Sequence, residues 1–223
     1  MSNSKSHWDR VYRTKSATAV SWYQPSLTTS LELIKRMGLR SDARIVDVGS
    51  GTSTLVDDLL ALGFHNITVL DISAEALAST RKRLGKKADS VAWIDADILT
   101  ADLPAGHFDL WHDRAVFHFL TNEDDRRRYV QQAKTSLSNG GHIVVATFGL
   151  EGPQQCSGLD VVRYAPDALH GEFGQSFAKI DQIEERHMTP WGAEQEFVYC
   201  YCRLLDSVAV GDPTPNQPCP RPK

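Results

Sequence analysis

Between residues 43 and 148 the chain alternates short β-branched apolar runs with longer stretches at helical spacing, and this alternation sets the fold. "ARIVDV" (43–48), "NITVLD" (66–71), "SVAWID" (90–95), "HFDLWHD" (107–113) and "GGHIVVATF" (140–148) read as five strands. Between and before them lie helices: one over 27–37 stopped by Gly38, one in "STLVDDLLAL", one in "AEALASTRKRL" capped by Ser73, and a charged one over 122–137. Strands separated by helices at this spacing predict an α/β, doubly wound, mostly parallel sheet. Such sheets bind ligands at the carboxyl ends of their strands.

The regularity stops after Phe148. "GLEGPQQCSGLD" reads as a Gly/Pro-rich loop, Pro166 to Phe173 as a short helix, and 177–187 with 195–204 as an antiparallel hairpin closing the sheet edge. The tail "GDPTPNQPCPRPK" is proline-rich and polar, which predicts disorder over 207–223. Residues 1–26 are rich in aromatic and basic side chains without a sheet role. The expected organisation is thus an N-terminal aromatic lid (1–26), one domain (27–206) and the tail.

Composition narrows the partners. The 223 residues carry a net charge of −4 with no basic excess, so no nucleic-acid partner is expected. No apolar run has membrane length, and the polar start lacks a signal-peptide core, so no membrane partner is expected and the cytoplasm is the expected compartment. Cys156, Cys200, Cys202 and Cys219 show neither CxxC spacing nor a disulfide framework and read as reduced packing thiols, with no metal site expected. A monomer is expected.

"IVDVGSGTST" then raises the question of what its glycine turn holds. A P-loop needs Lys followed by Ser or Thr, which is absent. A dinucleotide turn needs a third glycine where Thr54 stands. What remains is Asp47 before Gly49-Ser50-Gly51, Asp71 ending the second strand, and Asp97 just past the third. Each acid alone reads equally well as a turn or cap residue; together, at three successive strand ends, they are far more specific.

This pattern of DxGxG, an acid ending strand two and an acid after strand three resembles the class I S-adenosylmethionine-dependent methyltransferases over roughly residues 27–205. The resemblance implies a seven-stranded, mostly parallel, Rossmann-like sheet with a C-terminal antiparallel hairpin, and S-adenosylmethionine as cofactor. It implies that Gly49, Ser50 and Gly51 approach the methionine part and that Asp47 anchors its amino group. Asp71 would take the ribose, Ile72 and Ile98 would flank the adenine, and Asp97 would meet its amino group.

Four further segments are similar to the thiopurine methyltransferase family, which acts on small sulfur, selenium or tellurium nucleophiles. They are the aromatic N-terminus, His112-Asp113-Arg114-Ala115, Gly152-Pro153, and Glu184-Glu185-Arg186-His187. Trp8 to Tyr12 and Asp47 to Ser53 instead resemble small protein-lysine methyltransferases. A small-molecule, thiol-type acceptor is therefore expected, with a protein lysine as the alternative. No [DN]PP[YF] follows strand four, which argues against base amino groups. The expected reaction is in-line methyl transfer, with Asp113, Arg114 and His187 as candidate catalytic groups. Trp8, Tyr12, Trp22 and Asp113 are expected beside the cofactor. An NAD-dependent oxidoreductase and a non-catalytic S-adenosylmethionine sensor are the rival readings.

Overall fold

A computed structural model describes residues 2–206. The disorder expected over 207–223 lies outside the described residues. The strands are β1 (Arg44–Val48), β2 (Asn66–Asp71), β3 (Val91–Asp95), β4 (Phe108–Arg114) and β5 (Leu137–Phe148), then a miniature hairpin, β6 (Gln155–Cys156) with β7 (Leu159–Asp160), and finally β8 (Phe177–Met188) and β9 (Glu194–Leu204). The helices are α1 (Ser2–Thr14), α2 (Thr28–Arg36), α3 (Leu55–Ala61), α4 (Ala74–Leu84), α5 (Glu123–Ser136) and α6 (Pro166–Phe173).

Seven strands form one sheet in the order β3-β2-β1-β4-β5-β9-β8. All pairings from β3 to β5 are parallel, whereas β9 runs antiparallel to both β5 and β8. The chain therefore leaves β5, skips one position to form the edge strand β8, and returns by a hairpin to fill the gap. An all-parallel dinucleotide-binding sheet has no such inserted strand, which removes the oxidoreductase reading.

Successive side chains of a strand face opposite ways, so each apolar run serves two cores. Ile45, Ile67, Val69, Leu110 and Val144 pack against Leu33, Leu55, Leu59 and Leu77 of α2, α3 and α4. Val46, Val48, Trp111, Val145 and Val198 pack against Tyr129 and Ala133 of α5 and Leu169 and Phe173 of α6. Burial on both faces explains why these strands read as near-continuous apolar runs rather than alternating ones.

The element boundaries differ from expectation at two places. β5 starts at Leu137, directly after α5, because Leu137 already pairs with Phe108 before the register shifts and His142 pairs with Leu110. The loop after β5 contains the β6–β7 hairpin, whose turn places Ser157 and Gly158 at positive φ (51° and 79°). The aromatic N-terminus is a helix. Trp8, Val11 and Tyr12 sit at i, i+3 and i+4, which puts them on one face, and that face turns toward the carboxyl edge of the sheet. α1 rests on the start of α4: Ser73 Oγ donates to Asp9 Oδ1 at 2.7 Å, and Arg13 pairs with Glu75 at 2.6 Å. Lys5 Nζ donates to the Ile72 carbonyl at 2.8 Å and to Asp95 at 2.7 Å.

Candidate active site

A cavity of about 300 Å³ lies at the carboxyl ends of β1, β2 and β4, with α1 and residues 17–27 forming its roof. Its floor is the glycine turn. Gly49 and Gly51 both adopt positive φ, 62° and 55°, where a side chain is strained. Space forbids one as well: a Cβ on Gly49 would lie 1.9 Å from Val116 Cγ2, and on Gly51 2.3 Å from Tyr12 Oη. The second contact shows how closely α1 presses on the turn.

Asp47, at the end of the buried β1, splits its carboxylate. Oδ1 contacts His112 Nδ1 at 2.7 Å, and His112 Nε2 meets Ser30 Oγ at 2.9 Å. Asp47 and His112 are register partners on adjacent parallel strands, which is why they meet. With Nδ1–H donating to the carboxylate, Nε2 accepts from the serine hydroxyl. Oδ2 of Asp47 is buried and has no partner among the described residues, and neither has Ser50 Oγ. An unpaired buried polar atom costs about 1–3 kcal/mol, so two of them on one cavity wall mark a place where a ligand completes the hydrogen bonding.

Asp71 ends β2 with both oxygens already receiving backbone donors: Gly51 N–H at 2.7 Å and Ser73 N–H at 2.8 Å. Burial nonetheless pushes its pKa up to about 6, the two backbone donors opposing that rise. A carboxylate has about four acceptor positions, so two remain for a ligand. Ile72, Asp97 and Ile98 line the same side of the cavity, with Asp97 Oδ1 accepting from Leu99 N–H at 3.0 Å.

The roof is aromatic. Trp8 stands edge-on to Phe119 at 5.1 Å and to Trp22 at 6.0 Å, and Tyr12 lies 6.0 Å from Trp8 and 6.4 Å from Trp22. Burial, with Asp71 adding to it, holds the Tyr12 phenol well above its ordinary pKa and so neutral.

Of the candidate catalytic groups, Arg114 alone lines the cavity, and its charge is already engaged. Its guanidinium donates to Tyr199 Oη (3.0 Å), the Trp22 carbonyl (3.0 Å) and Glu185 Oε1 (3.3 Å), and lies 4.1 Å over the Phe197 ring. Asp113 faces away. Strand alternation sends His112 and Arg114 to one side of β4 and Asp113 to the other, where its oxygens accept from Val116 N–H (2.8 Å), Phe117 N–H (3.1 Å) and Tyr129 O–H (2.6 Å). This corrects the expectation of Asp113 beside cofactor or acceptor: it caps the turn after β4. Its pKa, pushed up to about 6 by burial, reflects enclosure on that other face.

His187 also sits outside the cavity lining. Nε2 donates to the Ser21 carbonyl at 2.6 Å and Nδ1 meets Gln24 Nε2 at 3.2 Å, so both ring nitrogens are occupied. Burial keeps its pKa below the ordinary histidine value. Instead of facing an acceptor, it ties residues 21–24 to β8, and Arg114 ties Trp22 to β8 and β9. Cys156 lines the cavity, but burial pushes its thiol up to about 11. The sequence reading missed His112, Ser30 and Phe119. The available signal for His112 was its place opposite Asp47 once β1 and β4 are recognised as neighbours.

The fold thus brings together an orphaned carboxylate oxygen at the end of β1, an acid ending β2, an acid after β3 and the inserted β9. Residues 45–141 match the family model described as a methyltransferase domain. The match and the site together support a class I S-adenosylmethionine-dependent methyltransferase. Among curated relatives of this methyltransferase, the human EEF1A lysine methyltransferase 2 is 21% identical over 193 residues, covering 80% of this chain and 76% of the relative. The zebrafish (Danio rerio) eEF1A lysine and N-terminal methyltransferase is 22% identical over 152 residues, 67% of this chain but only 22% of the relative, so the chain spans about a fifth of that protein's length. A solved structure from work on the conversion of a disulfide bond into a thioacetal group during echinomycin biosynthesis superposes with a TM-score of 0.75 at 17% identity, covering 92% of this chain and 94% of that one. That likeness concerns the fold. Among the described residues no helix is long and apolar enough to cross a membrane.

Proposed function

We propose that this methyltransferase binds S-adenosylmethionine in the aromatic-roofed cavity and methylates a small-molecule, thiol-type nucleophile. The bound cofactor supplies an activated methyl group on a sulfonium, so the protein's task is alignment in a water-poor site. Asp47 Oδ2 and Ser50 Oγ would receive the polar groups of its methionine part. Asp71 would accept from the ribose hydroxyls, and Asp97, with Ile72 and Ile98 alongside, would receive the adenine. Trp8, Tyr12, Trp22 and Phe119 present ring faces and edges to the rest of the cavity. Such rings stabilise a desolvated cation by up to about 2 kcal/mol.

The observation that carries the acceptor class is the state of the bases. Among the described residues, His112 is the one imidazole lining the cavity, and both its nitrogens are bonded. His187 and Asp113 face elsewhere, and Arg114 is paired with Glu185. No imidazole in the cavity is free to take a proton, which favours an acceptor that is already partly deprotonated at neutral pH. A thiol, with a reference pKa of about 8.5, has roughly a hundredfold larger deprotonated fraction at neutral pH than a lysine at about 10.4.

The second reading, a protein lysine, is favoured by the printed names of the human and zebrafish relatives. Incubating the protein with methyl-labelled S-adenosylmethionine and a lysate, then separating small molecules from protein, decides between them. Label in the small-molecule fraction, competed by added low-molecular-weight thiols, is the expected result. Label confined to a protein band would replace it with the lysine reading.

A further inference from the structure

Away from the cavity, the face of β9 that α6 covers carries a set of side chains with the composition of a ligand sphere. Strand alternation places Cys200 and Cys202 on one side, their sulfurs 3.1 Å apart and both buried. α6 lays His170 over them. Its Nδ1 is 3.3 Å from Cys202 Sγ and 3.9 Å from Cys200 Sγ, and all three donor atoms lie within 4.8 Å of one another. The surrounding residues on that face, Leu169, Phe173, Val198 and Leu204, are apolar and buried.

The charges nearby suit a cation held by two thiolates. Lys179 is the register partner of Cys202 on β8, and its ammonium donates to Asp167 Oδ1 at 2.7 Å and Gln182 Oε1 at 3.1 Å. Asp167 lies three residues before His170 on α6, hence on the same helix face.

We propose that His170 Nδ1, Cys200 Sγ and Cys202 Sγ bind one soft divalent metal ion of the zinc type, a water completing a tetrahedron. Zinc–sulfur bonds of about 2.3 Å and zinc–nitrogen bonds of about 2.0–2.1 Å require ligand atoms roughly 3.5–3.8 Å apart. The present separations of 3.1, 3.3 and 3.9 Å reach that geometry with shifts of a few tenths of an ångström. On binding, two thiol protons pass to solvent and two metal–sulfur bonds form, with no change of oxidation state. Dication and two thiolates neutralise each other, as do Lys179 and Asp167.

The site lies away from the methyl-transfer chemistry. Cys200 and Cys202 pair with Val145 and Ile143, three and five residues before Phe148 at the cavity end of β5, roughly 10–17 Å along the strand. Its effect is to pin α6 to the sheet. α6 follows the loop that carries Cys156 into the cavity wall, so the pin braces that loop from behind.

Titrating the fully reduced, full-length chain with cobalt(II) tests the proposal. The expected result is a one-to-one rise of thiolate-to-cobalt charge-transfer absorption with tetrahedral d–d bands, erased by stoichiometric zinc. At ~100-fold excess over Kd, zinc should also raise Tm by on the order of 5 °C. Cys200→Ser and Cys202→Ser should abolish the charge-transfer band. His170→Gln, a half-buried change that keeps both thiols, should weaken binding by about tenfold or more while the S-adenosylmethionine affinity stays unchanged. Absence of the band in the reduced wild type, or its survival undiminished in Cys200→Ser or His170→Gln, would overturn the site.

Discussion

At the scale of single residues, Asp71 makes the most testable claim. Its pKa of about 6 in the free protein lies above the ordinary carboxylate value of 3.8. The protonated form is thus favoured by folding, and the stability this contributes is complete below about pH 4 and lost as pH rises through 6. Hydroxyl donors from a ribose favour the ionised form, so affinity for S-adenosylmethionine should rise as pH increases up to about 6 and then level off. Calorimetric titrations between pH 5 and 8 should show this slope in the wild type and a flat profile in Asp71→Asn. Gly51 makes a second claim. Gly51→Ala introduces an L-residue at φ +55° and drives a methyl into Tyr12. A loss of about 1–2 kcal/mol is expected from the backbone alone, about 2–8 °C in Tm. Adding Tyr12→Phe should recover the part due to Oη and leave the backbone part. If the two changes are simply additive, Tyr12 does not press on the turn. The three acids were legible in the sequence because each stands at a strand end, where the neighbouring turn needs an acceptor. Asp113 was misjudged because strand parity decides its direction. One position separates a side chain that reaches Asp47 from one that caps a turn on the opposite face.

At the scale of elements, α1 is the part expected to move. Two of its ties, Lys5–Asp95 and Arg13–Glu75, are exposed charge pairs, a kind that adds little to stability, and a third is a single serine bond. Its hold on the cavity rests on Trp8 and Tyr12. Because α1 roofs the cavity, it is expected to open for cofactor entry and close over it. Hydrogen exchange should show α1 and residues 17–27 weakly protected in the free protein and strongly slowed by S-adenosylmethionine, with β1 and β4 protected in both states. Equal protection of α1 with and without cofactor would refute a lid. Arg114 and His187 belong to this scale, since they fasten residues 21–24 to β8 and β9. His187→Gln should therefore speed exchange in residues 17–27 while leaving the pH profile of turnover unmoved. A shift of that profile would return His187 to the chemistry. That the N-terminus was a helix was present as the spacing of Trp8, Val11 and Tyr12, but its composition drew the eye first. Its docking could not be read without knowing which sheet edge was open.

At the scale of the whole molecule, the strand order explains the site. Adjacent parallel strands β2, β1 and β4 bring the turns that follow them to one edge. The β8–β9 hairpin then supplies Glu185, Phe197 and Tyr199, which hold Arg114 in place. This architecture was legible because alternating strands and helices admit few topologies. The C-terminal hairpin was expected, but the placement of β9 between β5 and β8 came from the structure, since a hairpin's sequence shows which strands pair but not which one lies inside. The claim on which the account stands is that this cavity holds S-adenosylmethionine through Asp47 and Asp71. Isothermal titration of the wild type, Asp47→Ala and Asp71→Ala at pH 7.5 tests it most directly. One-to-one binding weakened about 10- to 150-fold by each substitution is predicted, matching the loss of a charged hydrogen bond. Wild-type affinity in both variants, or no binding in the wild type, would contradict it.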